Sequence, residues 1–253
     1  MQLNHKLYGN NSSPSIIIIH GLFGSLQNWT FISKQLASDY CVISVDCRNH
    51  GESFHNNSMS YEEMAKDIKN LIDHLSIENA ILIGHSMGGK IAMACGQLFP
   101  EKINKQIIID IAPKQYPPHH NEIINALLQI DLSQFNSRQN VNDALKQSIP
   151  NNVLRQFLIK NIQPKQPLKW QINLEGIAKS YSDIMDWPEN LSNKSSVESL
   201  FIRGKKSNYV DANDEMVIKN MFSNCQIKTI DASHWVHAEQ PTETIKHISD
   251  FIN

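Results

Sequence analysis

Ser86 lies in Gly84-His85-Ser86-Met87-Gly88-Gly89, a G-x-S-x-G spacing. A serine hydroxyl is a weak nucleophile until a neighbouring base takes its proton. On a sharp turn between a strand and a helix it stands clear of the sheet, over a helix N-terminus whose dipole favours developing negative charge. The base expected for it is His234 in Asp231-Ala232-Ser233-His234-Trp235-Val236-His237, with His237 as the rival three residues on. A carboxylate should hold that imidazole in one tautomer and stabilise its cation. The loop Arg203-Gly204-Lys205-Lys206-Ser207-Asn208 offers none, and Asp211, followed by Asp214 and Glu215, reads as a helix N-cap. Asp110 in IIIDIAP is the expected acid, because a carboxylate at the edge of so apolar a run needs a partner; Asp183 and Asp186 are the weaker candidates. Ser207 is placed to hydrogen-bond either the histidine or Asp110.

These residues need a frame that brings loops distant in sequence to one edge. Short β-branched runs at 15–19, 41–45, 80–83, 106–109, 199–202 and 226–230 read as buried parallel strands, which are apolar throughout rather than alternating. Helices are expected at 28–37, 61–75, 87–98, 211–221 and 242–251. The alternation predicts an α/β fold, a mostly parallel central sheet with helices on both faces. It breaks between about 116 and 188, where apolar residues such as Ile123, Ile124, Leu127 and Leu128 fall at helical spacing. Residues 1–115 and 189–253 are therefore read as the core, and 116–188 as a helical lid inserted between two strands. Parallel strands end on one edge, so Ser86, Asp110 and His234 can meet there.

With HGLFGS, VDCRNHGES, GHSMGGK, IDIAP and SHWVHAEQP in place, the chain resembles the α/β-hydrolase superfamily throughout its length. More closely it resembles the YbfF-like bacterial esterases, through the turn Arg48-Asn49-His50-Gly51, the GHSMGGK elbow and the acid placed before the lid. The resemblance implies Ser86 as nucleophile, Asp110 as acid and His234 as base, working without a cofactor or metal on carboxylic esters and acyl-CoA thioesters. In that fold the turn after the first parallel strand and the residue after the nucleophile donate backbone N–H groups to the oxyanion. Here those are Leu22 and Met87, with Phe23 the neighbouring alternative to Leu22; His20 is read as a structural hydrogen-bonding residue. Phe23, Trp235, Leu127 and Trp170 are expected to line an apolar acyl pocket, and His119 and His120 to be solvated.

Composition narrows the rest. The 23 Lys+Arg balance 25 Asp+Glu, so bulk charge gives no reason to expect a nucleic-acid partner. No apolar run reaches a membrane span, and no signal peptide is visible at the start, so a cytoplasmic location is expected. The 4 cysteines form no CxxC pair. Monomer and dimer both stay open. Arg48, Lys90 and Lys205 are the cations that could meet a coenzyme A phosphate. A serine at the elbow argues against dehalogenase or epoxide hydrolase chemistry. A lyase, a carbon–carbon hydrolase or a cofactor-free haloperoxidase on the same scaffold remains the alternative, and a non-catalytic ligand-binding protein the remote one.

Overall fold

A computed structural model describes all residues 1–253. Seven strands form one sheet: β1 (His5–Tyr8), β2 (Ser15–Ile19), β3 (Cys41–Val45), β4 (Ala80–His85), β5 (Ile103–Ile109), β6 (Glu198–Gly204) and β7 (Cys225–Ile230). Their order is β1-β3-β2-β4-β5-β6-β7. β1 pairs antiparallel with β3 and every other pairing is parallel. The six runs expected from sequence are all strands. β1 was not among them: HKLY is an edge strand with its middle residues exposed, and it carries no apolar run.

The isoleucines of the central strands divide by parity between the two faces. Ile16, Ile18, Ile81, Ile83, Ile107 and Ile109 meet α1 (Thr30–Leu36) and the last helix. Ile17, Ile19, Leu82 and Ile108 meet α2 (Tyr61–His74), α3 (Met87–Leu98) and the helical insert. Each such side chain withdrawn from water contributes roughly 1.5–3 kcal/mol, so burial on both sides makes these strands the rigid part of the molecule. Ser60 caps α2 by accepting from the Glu63 amide, with Glu62 and Glu63 in the first turn, as the helix dipole favours.

Between β5 and β6 the chain runs through α4 (Asn121–Leu128), α5 (Arg138–Ala144), α6 (Asn152–Leu158), α7 (Leu174–Lys179) and α8 (Tyr181–Met185). Their apolar faces share a single cluster with the sheet, so this insert has no core of its own. Polar ties reinforce the seam: Asn173 N–H donates to the Asn49 carbonyl at 2.9 Å, and the Tyr61 hydroxyl donates to the Ile184 carbonyl at 2.6 Å. The chain closes with α9 (Ala212–Met221), the short α10 (Val236–Glu239) and α11 (Pro241–Ile252). Asp211 caps α9, as its sequence suggested. No helix is long and apolar enough to cross a membrane.

The strand order reverses direction between β2 and β4, and a crevice opens there outside the carboxyl ends of the strands. The loops after β2, β4, β5, β6 and β7 all reach that edge.

Candidate active site

Ser86 links β4 to α3 with φ 53° and ψ −119°, a left-handed backbone that an L-residue adopts only at a cost of about 1–3 kcal/mol. Its amide donates to the Ile109 carbonyl at 3.0 Å, which ties the turn to β5. Glycine is required around it. A Cβ on Gly88 would lie 2.3 Å from the Ile19 carbonyl oxygen and 2.6 Å from that of His20, both backbone atoms that cannot swing away. Gly88→Ala is therefore expected to cost about 2 kcal/mol or more, although alanine is the better helix former. In a thermal melt that is a fall in Tm of about 4–8 °C, and an unchanged Tm would contradict the close approach.

Asp110 ends β5 at φ 52°, 1 % exposed. Its Oδ1 accepts the Gly204 amide at 2.8 Å. Its Oδ2 accepts both the Ser207 hydroxyl and, at 2.8 Å, Nδ1 of His234. Ser207 therefore bonds the acid rather than the histidine. With Nδ1 protonated towards Asp110, the lone pair of neutral His234 is on Nε2, the nitrogen free to act as a base. His234 and Ser86 line one cavity of about 1060 Å³, together with Leu22, Phe23, Phe157 and Trp235.

The turn after β2 is held by histidines. His20 receives the Cys47 amide on Nε2 at 3.0 Å and donates from Nδ1 to the Gly21 carbonyl at 2.8 Å. His50 receives the Phe23 amide on Nε2 at 3.1 Å and donates from Nδ1 to the Arg48 carbonyl at 2.9 Å. Phe23 is itself at φ 60°, and its carbonyl accepts from Asn161 of the insert at 2.7 Å. The Phe23 amide is thus engaged, whereas the Leu22 and Met87 amides are bonded to no protein acceptor. Burial pushes His50 down to about 3 and lowers His20, so both imidazoles stay neutral acceptors.

Three further histidines crowd His234. His85 donates from Nε2 to the His234 carbonyl at 2.9 Å. His237 is buried and stacks on Trp29 with ring centroids 4.2 Å apart, and burial pushes it down to about 3. It is a packing residue within the cavity wall rather than a surface one. His120 is half-buried against Tyr181 and lines the cavity, whereas His119 is exposed. The expectation of a solvated His120 fails because the start of the insert folds back onto the site.

The expected acyl-pocket set divides. Phe23 and Trp235 line the cavity, but Leu127 is fully buried among the insert's apolar residues and Trp170 packs on the same cluster through its bridge to Ile162. Val153, Leu154 and Phe157 of α6 take their place, with Phe157 5.9 Å from the Trp235 ring. Arg48 is also not free for a ligand. Its guanidinium bonds Asp67 at 2.6 Å and Glu63 at 2.9 Å. Lys90 is buried with Nζ on the Met185 and Asp186 carbonyls. Asp183 lies exposed on the insert and Asp186 beside Lys90, so neither meets His234. Sequence reasoning missed Tyr209, whose ring stacks on His234 at 3.7 Å, and Asn161; the aromatic two residues past Ser207 was the available signal for the first, and nothing pointed to the second.

Residues 14–241 match the α/β hydrolase fold family. The chain is 35% identical to Esterase YbfF of Escherichia coli (strain K12), over 96% of this chain and 94% of that one. It is 34% identical to the sn-1-specific diacylglycerol lipase ABHD11 of Danio rerio, over 96% of this chain and 80% of that one. Among solved structures, a marine microorganism esterase superposes with a TM-score of 0.95 at 38% identity, covering 99% of each chain. Sheet order, elbow and relatives agree, and the chain belongs to the α/β-hydrolase family as a YbfF-like esterase.

Proposed function

We propose that this protein hydrolyses small carboxylic esters through an acyl-enzyme on Ser86. The observation that carries the reading is the Asp110–His234 pair, at 2.8 Å, in the loops beside a serine on a strained elbow. His234 takes the Ser86 proton through Nε2 as Oγ attacks the ester carbonyl. The Leu22 and Met87 amides receive the oxyanion, each expected to contribute about 10²–10³ in kcat. The protonated His234, steadied by Asp110, then gives its proton to the leaving alcohol. Water activated by the same histidine hydrolyses the acyl-enzyme. Phe23, Phe157 and Trp235 give the acyl group an apolar wall, and the insert acts as a lid that places Phe157 there.

Coenzyme A thioesters have the weaker claim on this site. Of the three cations considered for a coenzyme A phosphate, two are committed to buried contacts, and only Lys205 is exposed.

The test is hydrolysis of a p-nitrophenyl acyl series from acetate to palmitate. Turnover with a chain-length optimum is expected, and the optimum measures the depth of the cavity. A folded protein with no turnover on any member would abandon the esterase reading for a lyase or a binding role.

A further inference from the structure

Tyr209 is half-buried in the loop after β6, and its ring lies face to face with the His234 imidazole, centroids 3.7 Å apart and planes 14° from parallel. Tyr209 is itself held at three points, two on its backbone and one on its hydroxyl. Its amide donates to Ser207 Oγ at 3.2 Å, and its carbonyl accepts the Tyr116 hydroxyl at 2.7 Å. Its own hydroxyl meets His119 Nε2 at 2.6 Å. His119 Nδ1 is 2.7 Å from the Pro117 carbonyl, which can only accept, so Nδ1 carries the proton and Nε2 receives the phenol O–H. Burial raises the Tyr209 phenol, which keeps it a donor. Tyr116 and His119 both belong to the start of the insert.

A stacked phenol does two things to an imidazole. It restricts rotation of the ring, and its π face attracts the ring once it is cationic. A phenol that donates its proton is the more electron-rich, so the His119 contact strengthens that attraction. The other titratable groups around His234 are Asp110, Glu239, His85, His237 and His120; burial holds the three histidines low, with His120 and His237 at about 3. These histidines stay neutral across the working range; the carboxylates nearby are Asp110, on Nδ1, and Glu239 of α10, which lines the same cavity and accepts the Ser233 amide at 2.9 Å.

We propose that Tyr209 is a positioning residue for the base: it fixes the plane of His234 between Asp110 and Ser86 and stabilises the imidazolium formed in each proton transfer, and His119 anchors it from the insert. The proposal rests on His234 as the base. It gives the insert a second duty, since part of the base's support comes from residues outside the core.

The experiment is kcat and KM on p-nitrophenyl butyrate against pH for wild type, Tyr209→Met, Tyr209→Phe, His119→Ala and His234→Ala. Enzyme held at pH 8 is diluted into each buffer, so that initial rates precede any unfolding. In Tyr209→Met, kcat should fall about 5- to 30-fold with KM within about twofold. The acid limb of kcat/KM should move to lower pH by about half a unit, because a less stabilised cation forms at lower pH. Tyr209→Phe keeps the ring and should lose only about two- to threefold. His119→Ala, at an exposed position that leaves folding intact, should match it. A Met variant with an unmoved limb and kcat within twofold would overturn the proposal, as would a Phe variant as impaired as the Met one. If the Met variant does not fold, an unchanged profile in both Tyr209→Phe and His119→Ala overturns it. His234→Ala separates the two ideas. Residual turnover there removes the base reading itself, whereas an inactive His234→Ala beside an unchanged Tyr209→Met removes only the stacking role.

Discussion

Ser86→Ala should lower kcat by about 10⁵–10⁶, and Asp110→Asn by about 10⁴, on the best p-nitrophenyl ester of the series. The first change removes the atom that forms the acyl-enzyme, so no covalent label from a fluorophosphonate should remain on the protein. The second acts through the histidine. An asparagine can turn its amide N–H towards His234 Nδ1, which forces the ring proton onto Nε2 and leaves no lone pair for Ser86. The two losses should not add, since either one stops the same step. Ser207 makes the position of the acid separately testable. Its hydroxyl already touches Asp110 Oδ2, so a carboxylate at 207 reaches the same nitrogen from the loop after β6. In the Asp110→Asn background, Ser207→Asp is expected to recover about tenfold or more. An Asp110→Asn enzyme within tenfold of wild type would make Asp110 structural and reopen the search for the acid.

The pairing of Asp110 with His234 was legible because of where Asp110 sits in the chain. An aspartate that follows three isoleucines and precedes Ile111-Ala112-Pro113 has few ways to be solvated, and the loop after β6 has no competitor. Ser86 was legible because it directly follows β4, a run buried on both faces; His234 follows β7, a half-exposed edge strand, and its signal was a histidine in the loop after the last strand. The pocket was not. Helical spacing tells which face of α4 is apolar but not which surface it meets, and Leu127 turned into the core shared by insert and sheet while α6 supplied the cavity wall. The strand β1 escaped for want of any apolar run, and its pairing is set by β3. Tyr209 and Asn161 act across 25 and 138 residues of chain, and contacts of that kind are made by the fold rather than announced by spacing.

Acid should unfold this protein at a mild pH. His20, His50, His85 and His237 are each buried, and burial lowers all four, His50 and His237 to about 3. In the unfolded chain they titrate near about 6.5. The folded state therefore binds fewer protons below that value, and stability present above about pH 6.5 is lost as pH falls towards the folded values. Each histidine kept neutral contributes a slope of about 1.4 kcal/mol per pH unit, so His50 and His237 together give about 3 kcal/mol per unit, and His85 and His20 add to it in the same direction. A total stability of about 5–15 kcal/mol would be consumed between about pH 6 and 4. Urea denaturation at pH 7.5, 6.5 and 5.5 reads this directly. His237→Phe keeps a ring on Trp29 and removes one proton site, so it should flatten the slope by about 1.4 kcal/mol per unit; a profile flat from pH 7.5 to 5 in the wild type would refute the argument. There is a consequence for the esterase activity. Protonation of His50 removes the acceptor that holds the Phe23 amide, so the turn that presents Leu22 loosens as the fold fails. Activity lost on the acid side should then decay with time of exposure, whereas titration of His234 would act at once. The two are separable by comparing initial rates with rates after incubation at the same pH.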